Sequence, residues 1–311
     1  MPNTLKYKST LLCLASLLIG ASTGCVRSMS ELGQHTLAFS SAAIVITNGS
    51  EDAYASANTL HYNEQIALSV IDYDKSVSWN PENYVKPLLS DEQLEARRQV
   101  LEGLKSYAAT LGDLTSTKDD TNLNAAAKDV GNNLQQLSST VNTSFGTGAG
   151  ASISDTEKNG LSTALVALGT YLKQRTVSKQ LPAVLQANDK TVTDICDALL
   201  SDVKILRRQA DKDYGALETA QDKYIRTAQP AFSADQRRSE IAKLPTMVRE
   251  QEQNDLLLAK LDKSLRSLKL THHALAAAAQ GNNPGSLRQY IAELTAEGQS
   301  LASYYQSLNS K

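Results

Sequence analysis

The sequence predicts an all-α protein, an elongated antiparallel helical bundle with long coiled-coil-like helices, and three observations carry that expectation. Apolar residues recur at alternating three- and four-residue steps along almost the whole chain, the spacing that lines them up on one face of a helix. Ser90-x-x-Gln93, Ser154-x-x-Glu157 and Ser233-x-x-Gln236 stand where such runs open, and in that pattern the serine and the Glu or Gln satisfy each other's free backbone N–H groups. No segment sustains the period-two alternation of a half-buried strand.

The first run uses Leu32, Phe39, Ala43, Ile46, Ala53, Ala57, Leu60, Ala67 and Ile71, so a helix is expected from about Ser30 to Val77. At about 1.5 Å per residue it forms a rod on the order of 70 Å. Gly49, between Asn48 and Ser50, is a place for it to bend, and Trp79-Asn80-Pro81 ends it. After Pro87, Ser90 caps a second helix with the stripe Leu94, Leu101, Leu104, Ala108 and Leu111. A polar turn from Thr115 to Thr121 leads to a third, with Leu123, Ala127, Val130, Leu134, Leu137 and Val141. The uncharged, glycine-bearing stretch Ser144 to Gly150 reads as a loop.

Ser154 then opens a helix through Leu161, Leu165, Leu168 and Leu172, which Pro182 is expected to kink or end near Leu181. The stripe resumes from Asp189 through Val192, Ile195, Leu199, Val203, Leu206, Ala210, Tyr214, Leu217, Tyr224 and Ala228, and Pro230 closes it. The next buried stripe is expected at Ile241, Leu244, Val248, Leu258, Leu261, Leu265, Leu268, Leu275 and Ala279, with Pro245 inside it. Gly281 to Gly285 is a turn, and Leu287, Ile291, Leu294, Leu301, Tyr305 and Leu308 supply the last helix. Long helices joined by tight turns pack as antiparallel neighbours. The shorter helices between Asp91 and Leu185 add a fourth column or cap one end. Residues 25–311 read as one helical domain, with 144–150 as a possible sub-boundary.

The N-terminus has a different character. Lys6 and Lys8 precede a short apolar run from Leu11 to Ile19, followed by Gly20-Ala21-Ser22-Thr23-Gly24 and Cys25. The run suits a signal-peptide core and is too short to span a bilayer, which takes about 20 apolar residues. Residues 1–24 with Cys25 resemble the signal peptide and lipobox of bacterial lipoproteins, with Ser22 where leucine is commonest in that pattern. The resemblance implies cleavage before Cys25, lipidation of Cys25 and a membrane anchor of acyl chains, more than the two signals stable anchoring takes. The mature chain would then have 287 residues and, without Lys6 and Lys8, 29 basic residues against 33 acidic ones, a charge of −4. That balance sets no basic face aside for nucleic acid. Cys196 would be the one remaining unmodified cysteine, without a disulfide partner, and is read as a buried core residue.

Little in the sequence points to chemistry. Gly20 to Gly24 fits a G-x-S-x-G elbow, but it lies in the leader with no strand before it. Of His35, His61, His272 and His273, none has a glutamate three residues before it, as a helical carboxylate-bridged metal site needs. His272 continues the buried stripe, whereas His273 points to another side and faces water. Gln251 and Asp255 occupy stripe positions and are read as fixing helix register. Asp72 and Asp74, near Tyr73 and Trp79, form an acidic-aromatic group at a helix end. Arg207-Arg208 and Arg237-Arg238 are interleaved with acidic residues, the pattern of a solvated helix face. Gly146, Gly148 and Gly150 lack the Lys-Ser/Thr of a phosphate loop.

The expectation is a lipid-anchored envelope lipoprotein that acts as a structural or protein-interaction module, with no catalytic, cofactor or metal residues assigned. Its expected partners are the membrane, through the lipid on Cys25, and an envelope protein. In a Gram-negative source, the resemblance to sorted lipoproteins implies the outer membrane, facing the periplasm, since Val26 rather than a retaining aspartate follows the cysteine. The alternative is an immunity or exclusion lipoprotein that binds a toxin or a conjugation partner. A pore-forming role would need a long apolar hairpin, for which Leu161 to Leu172 is a weak candidate.

Overall fold

The computed structural model describes residues 29–74, 85–115, 121–146, 153–174, 181–282 and 285–309. Among them every regular element is helical: α1 (Met29–Asp74), α2 (Asp91–Thr115), α3 (Thr121–Ser144), α4 (Asp155–Gln174), α5 (Leu181–Ala228), α6 (Ala234–Ala279) and α7 (Leu287–Asn309), with a 3₁₀ turn at Gln229–Ala231. The expected all-α antiparallel bundle is what the chain forms. Helix α1 runs 46 residues through Gly49 without interruption, about 69 Å at the usual rise. The expected stop at Trp79-Asn80-Pro81 lies outside the described residues.

Capping explains where the helices begin. The Ser90 N–H donates to Gln93 Oε1 at 3.0 Å and the Gln93 N–H to Ser90 Oγ at 3.3 Å. Ser154 and Glu157 repeat the exchange at 2.7 and 3.3 Å, and Ser233 and Gln236 at 2.9 and 3.2 Å. At the other end of α6, the Gly281 N–H donates to Ala278 O at 3.1 Å. Gly281 has φ +81°, a conformation that costs glycine little and a side chain much.

Proline 182 behaves differently from the expectation. It neither kinks nor ends a helix; it is the second residue of α5, which starts at Leu181 rather than Asp189. In the first turn its missing N–H has no intrahelical partner to lose, and its fixed φ suits the helix. Val184 and Leu185 therefore join the core ahead of the expected stripe.

The pairing of helices follows from contacts at both ends of each pair. Gly33 lies beside Thr115, and Asn58 Nδ2 donates to Leu89 O at 2.8 Å, so α2 runs antiparallel along α1. Helix α3 returns along α2, joined by Arg97 Nη1 to Ser144 O at 2.9 Å. Helix α4 returns along α3, where Gly131 and Gly169 let the two backbones approach: a Cβ on either would sit 2.7 Å from the other's carbonyl oxygen. Helices α5 and α6 form the longest hairpin, held by Arg207–Asp255 and Lys269–Asp197. Helix α7 folds back on α6 and lies parallel to α1, where Arg288 meets Glu31 at 2.9 Å and Gly298 faces Ala42. The shorter helices α2 and α4 thus lie against the long helices α1 and α5, and α3 packs on α2 and α4, so they add columns to the bundle rather than capping it. One apolar core includes residues of all seven helices.

One expected stretch of that core is not core. Ile241 and Val248 are 48% and 42% exposed, and Leu244 is only partly buried. The stripe becomes buried only at Leu257 and Leu258; before them the described residues from Ala234 to Leu256 are exposed or only partly buried, and Tyr304 Oη of α7 reaches Gln253 O at 2.5 Å.

Candidate functional site

Among the described residues, the buried ionisable side chains that contact one another form three groups, each assembled from two or more helices. The first surrounds His272 of α6, which is fully buried as its stripe position requires. Its ring packs on Phe39 of α1 and Tyr107 of α2, each with centroids 5.6 Å away. Its Nδ1 lies 3.3 Å from Asp189 Oδ1 of α5 and its Nε2 2.8 Å from Tyr107 Oη. Nδ1–H donating to Asp189, with Nε2 accepting from Tyr107, satisfies both contacts. Burial holds the His272 pKa below its ordinary value. The hydrogen bond from His272, opposed by burial, holds Asp189 below the usual carboxylate value. His273 is 69% exposed, yet its Nδ1 reaches Asp189 Oδ2 at 2.8 Å. The two adjacent histidines therefore diverge in burial as expected but share one carboxylate.

The second group is an ion pair closed to water. Arg97 of α2 bonds Asp202 of α5 through Nε and Nη2 at 2.6 and 2.9 Å, and its Nη1 donates to Gln93 O and Ser144 O at 2.9 Å each. The guanidinium lies over the Phe145 ring at 4.8 Å and near Tyr54 at 5.7 Å, so every face of the charge is occupied.

The third group lies where α1 runs beside α5, further toward the α5–α6 turn. His61 Nδ1 is 3.1 Å from Asp213 Oδ2 and 3.8 Å from Glu64 Oε2. Gln209 Nε2 donates to Asp213 Oδ1 at 2.7 Å and Gln65 Nε2 to Glu64 Oε2 at 2.6 Å. The hydrogen bond with Asp213 raises the His61 pKa against burial, and burial raises that of Glu64. The sequence search for Glu-x-x-His misses this group because the order is reversed, His61-x-x-Glu64, and the third member is 149 positions on at Asp213. His-x-x-Glu on one helix was the signal available.

Beyond these, the far end of the bundle exposes apolar side chains. No described residue from Arg226 to Leu256 is buried. Ile241, Val248 and Leu256 of α6 stand exposed there, as do Tyr62, Leu68 and Val70 of α1. Helix α1 runs parallel to α5, since Tyr54 adjoins the Arg97–Asp202 pair and His61 meets Asp213 further along. The start of α1 and this apolar region are therefore at opposite ends.

No family model, curated protein or solved structure matches this chain.

The remaining residues singled out in the sequence fall into place as follows. Cys25 and the Gly20–Gly24 elbow lie outside the described residues, as do Trp79 and the Asp72–Asp74 side chains. Cys196 is fully buried, and burial pushes its thiol pKa up to about 12, the state of an inert core residue. Asp255 accepts two hydrogen bonds from Arg207 at 2.5 and 2.9 Å, tying α6 to α5 in one register. Among the described residues no helix, Leu161–Leu172 included, is long and apolar enough to cross a membrane.

Proposed function

We propose that this chain is a lipid-anchored envelope protein, tethered through Cys25, that works as a structural interaction module and carries no catalysis of its own. The observation that supports this reading is the placement of the apolar surface relative to the leader. Helix α1 begins at Met29, four residues after Cys25 in the sequence, so a lipid on Cys25 would tether the bundle by the start of α1. The exposed Ile241 and Val248 lie toward the other end of a helix of about 69 Å. An anchor at one end and an uncovered apolar stripe at the other suit a spacer that meets its partner at a set distance from the membrane. Such a stripe, flanked by Arg237, Arg238, Glu240, Arg249 and Glu252, has the apolar centre and charged rim of a protein-binding face. The resemblance of residues 1–25 to a lipoprotein leader supports the envelope location.

Cell fractionation of the Cys25→Ala protein tests the anchor. The native protein is expected in the membrane fraction and the variant in the soluble envelope fraction. A variant that still sediments with membranes removes the lipid-tether reading.

A further inference from the structure

Glu64 and Asp213 pose an electrostatic problem that Asp202 does not. Their side chains are 8% and 4% exposed, and among the described residues the only ion-pair partner of either is His61. Asp202, equally buried, has the full charge of Arg97 against it. With both carboxylates ionised, one imidazole, even protonated, leaves the pair with net negative charge in a site nearly closed to water, which is costly. Burial of Glu64 otherwise relieves that cost by favouring its neutral form. A divalent cation would balance both carboxylates and take the imidazole as a neutral ligand.

The geometry fits that solution. One atom each from His61, Glu64 and Asp213 falls within a set whose members are all within 4.8 Å of one another. Bonds of about 2.0–2.2 Å to nitrogen and oxygen imply ligand-to-ligand edges of roughly 3.0–3.6 Å in tetrahedral or octahedral sites. The His61–Asp213 separation of 3.1 Å lies within this range and the His61–Glu64 separation of 3.8 Å just above it. Gln209 holds the Asp213 oxygen that His61 does not meet, as an outer-sphere amide does in a metal site, and Gln65 donates to the Glu64 oxygen nearer His61. His61 and Glu64 project from one turn of α1, and Asp213 from the adjacent α5, so ordinary side-chain adjustment closes the site. We propose that His61 Nδ1, Glu64 and Asp213 bind one divalent first-row transition ion, which locks α1 to α5. A mixed imidazole and carboxylate set favours such an ion over calcium or magnesium, which prefer oxygen alone. Three protein ligands leave a position for water.

Zinc titration of the tag-free, chelator-treated full-length protein by calorimetry tests this. One saturable site is expected, with micromolar or tighter affinity. Asp213→Asn and Glu64→Gln keep the shape of each side chain, and each is expected to weaken binding by more than the roughly 10–100-fold that loss of an outer-sphere partner costs. Cobalt should give the absorption bands of a low-coordinate site in the native protein and lose them in Asp213→Asn. His273→Ala, beside the other imidazole–carboxylate group, should bind as the native protein does. Circular dichroism of each metal-free variant checks that the helices persist. Absence of saturable zinc uptake by the native protein overturns the proposal. So does native-like affinity in Asp213→Asn and Glu64→Gln, or loss of binding in His273→Ala with retention in those two.

Discussion

The Arg97 guanidinium and the Asp202 carboxylate meet through two hydrogen bonds with side chains 0% and 1% exposed, which joins α2 to α5 through the centre of the bundle. A pair this deeply buried adds less stability than its contacts suggest, because both ions were taken out of water. Removing one partner is another matter. Arg97→Met should cost about 3–5 kcal/mol, since Asp202 is left charged and buried, whereas Arg97→Met with Asp202→Leu should recover most of that loss. Urea unfolding of the two variants checks it; equal losses in both would show that the pair is worth its full contact energy.

The approach of α3 and α4 at Gly131 and Gly169 has a similarly sharp consequence. A methyl group on residue 169 would lie 2.7 Å from the Gly131 carbonyl oxygen, and backbone cannot swing aside. Gly169→Ala should destabilise by about 1–3 kcal/mol. Gly215, in the middle of α5, has nothing within 4 Å of its added Cβ, so Gly215→Ala should stabilise by about 0.5–1 kcal/mol. Thermal or urea unfolding should separate the two by sign.

Acid should weaken the fold through His272 and Asp189. Both have folded-state pKa values below their ordinary ones, His272 through burial and Asp189 through the His272 hydrogen bond. The folded state thus binds fewer protons than the unfolded chain, and stability is present in full above the unfolded values. It falls first as pH drops below the ordinary histidine value of 6.5, and again below the carboxylate range. His272→Phe keeps a ring between Phe39 and Tyr107, loses the bond to Tyr107, and should flatten the decline between about pH 7 and 5.5. An unchanged slope of urea midpoint against pH would assign the acid sensitivity elsewhere.

The α5–α6 hairpin should open locally. With no described residue buried from Arg226 to Leu256, amides of Ala242 to Glu252 should exchange through opening of this region alone, and those of Leu261 to Leu275 only near global unfolding. Hydrogen exchange read by mass spectrometry distinguishes this from uniform protection along α6. Ser233→Ala, which removes the α6 cap, should speed exchange in the first turns of α6 and leave the Leu261–Leu275 region unchanged.

These expectations also show what could be read before the fold was known. The helices, the three capping pairs and the buried leucines follow from local rules, since spacing along the chain decides which face an apolar residue occupies. Asp255, read as a register residue, pairs with Arg207 of α5 across the helix interface, a partner that its place in the stripe does not name. Pro182 was misjudged because a proline that ends one helix and a proline that starts the next look alike without the neighbouring turn. Ile241 and Val248 have the spacing of core residues, but whether a stripe is covered depends on how far the other helices extend beside it, which periodicity does not encode. Arg97 was invisible for the converse reason. A charged residue enters a core only if Asp202, 105 positions away, is waiting there. The His61, Glu64 and Asp213 group needed the parallel alignment of α1 with α5, and no local pattern supplies that.

The central claim is that the exposed α6 stripe meets a partner in the envelope. A photo-crosslinking amino acid placed at Val248 in living cells tests it most directly, with the same group at Leu270, also exposed on α6 but away from this region, as the reference. The account predicts one discrete adduct from position 248, absent from position 270 and abolished by Ile241→Glu. No adduct from position 248, or the same adducts from both positions, would contradict it.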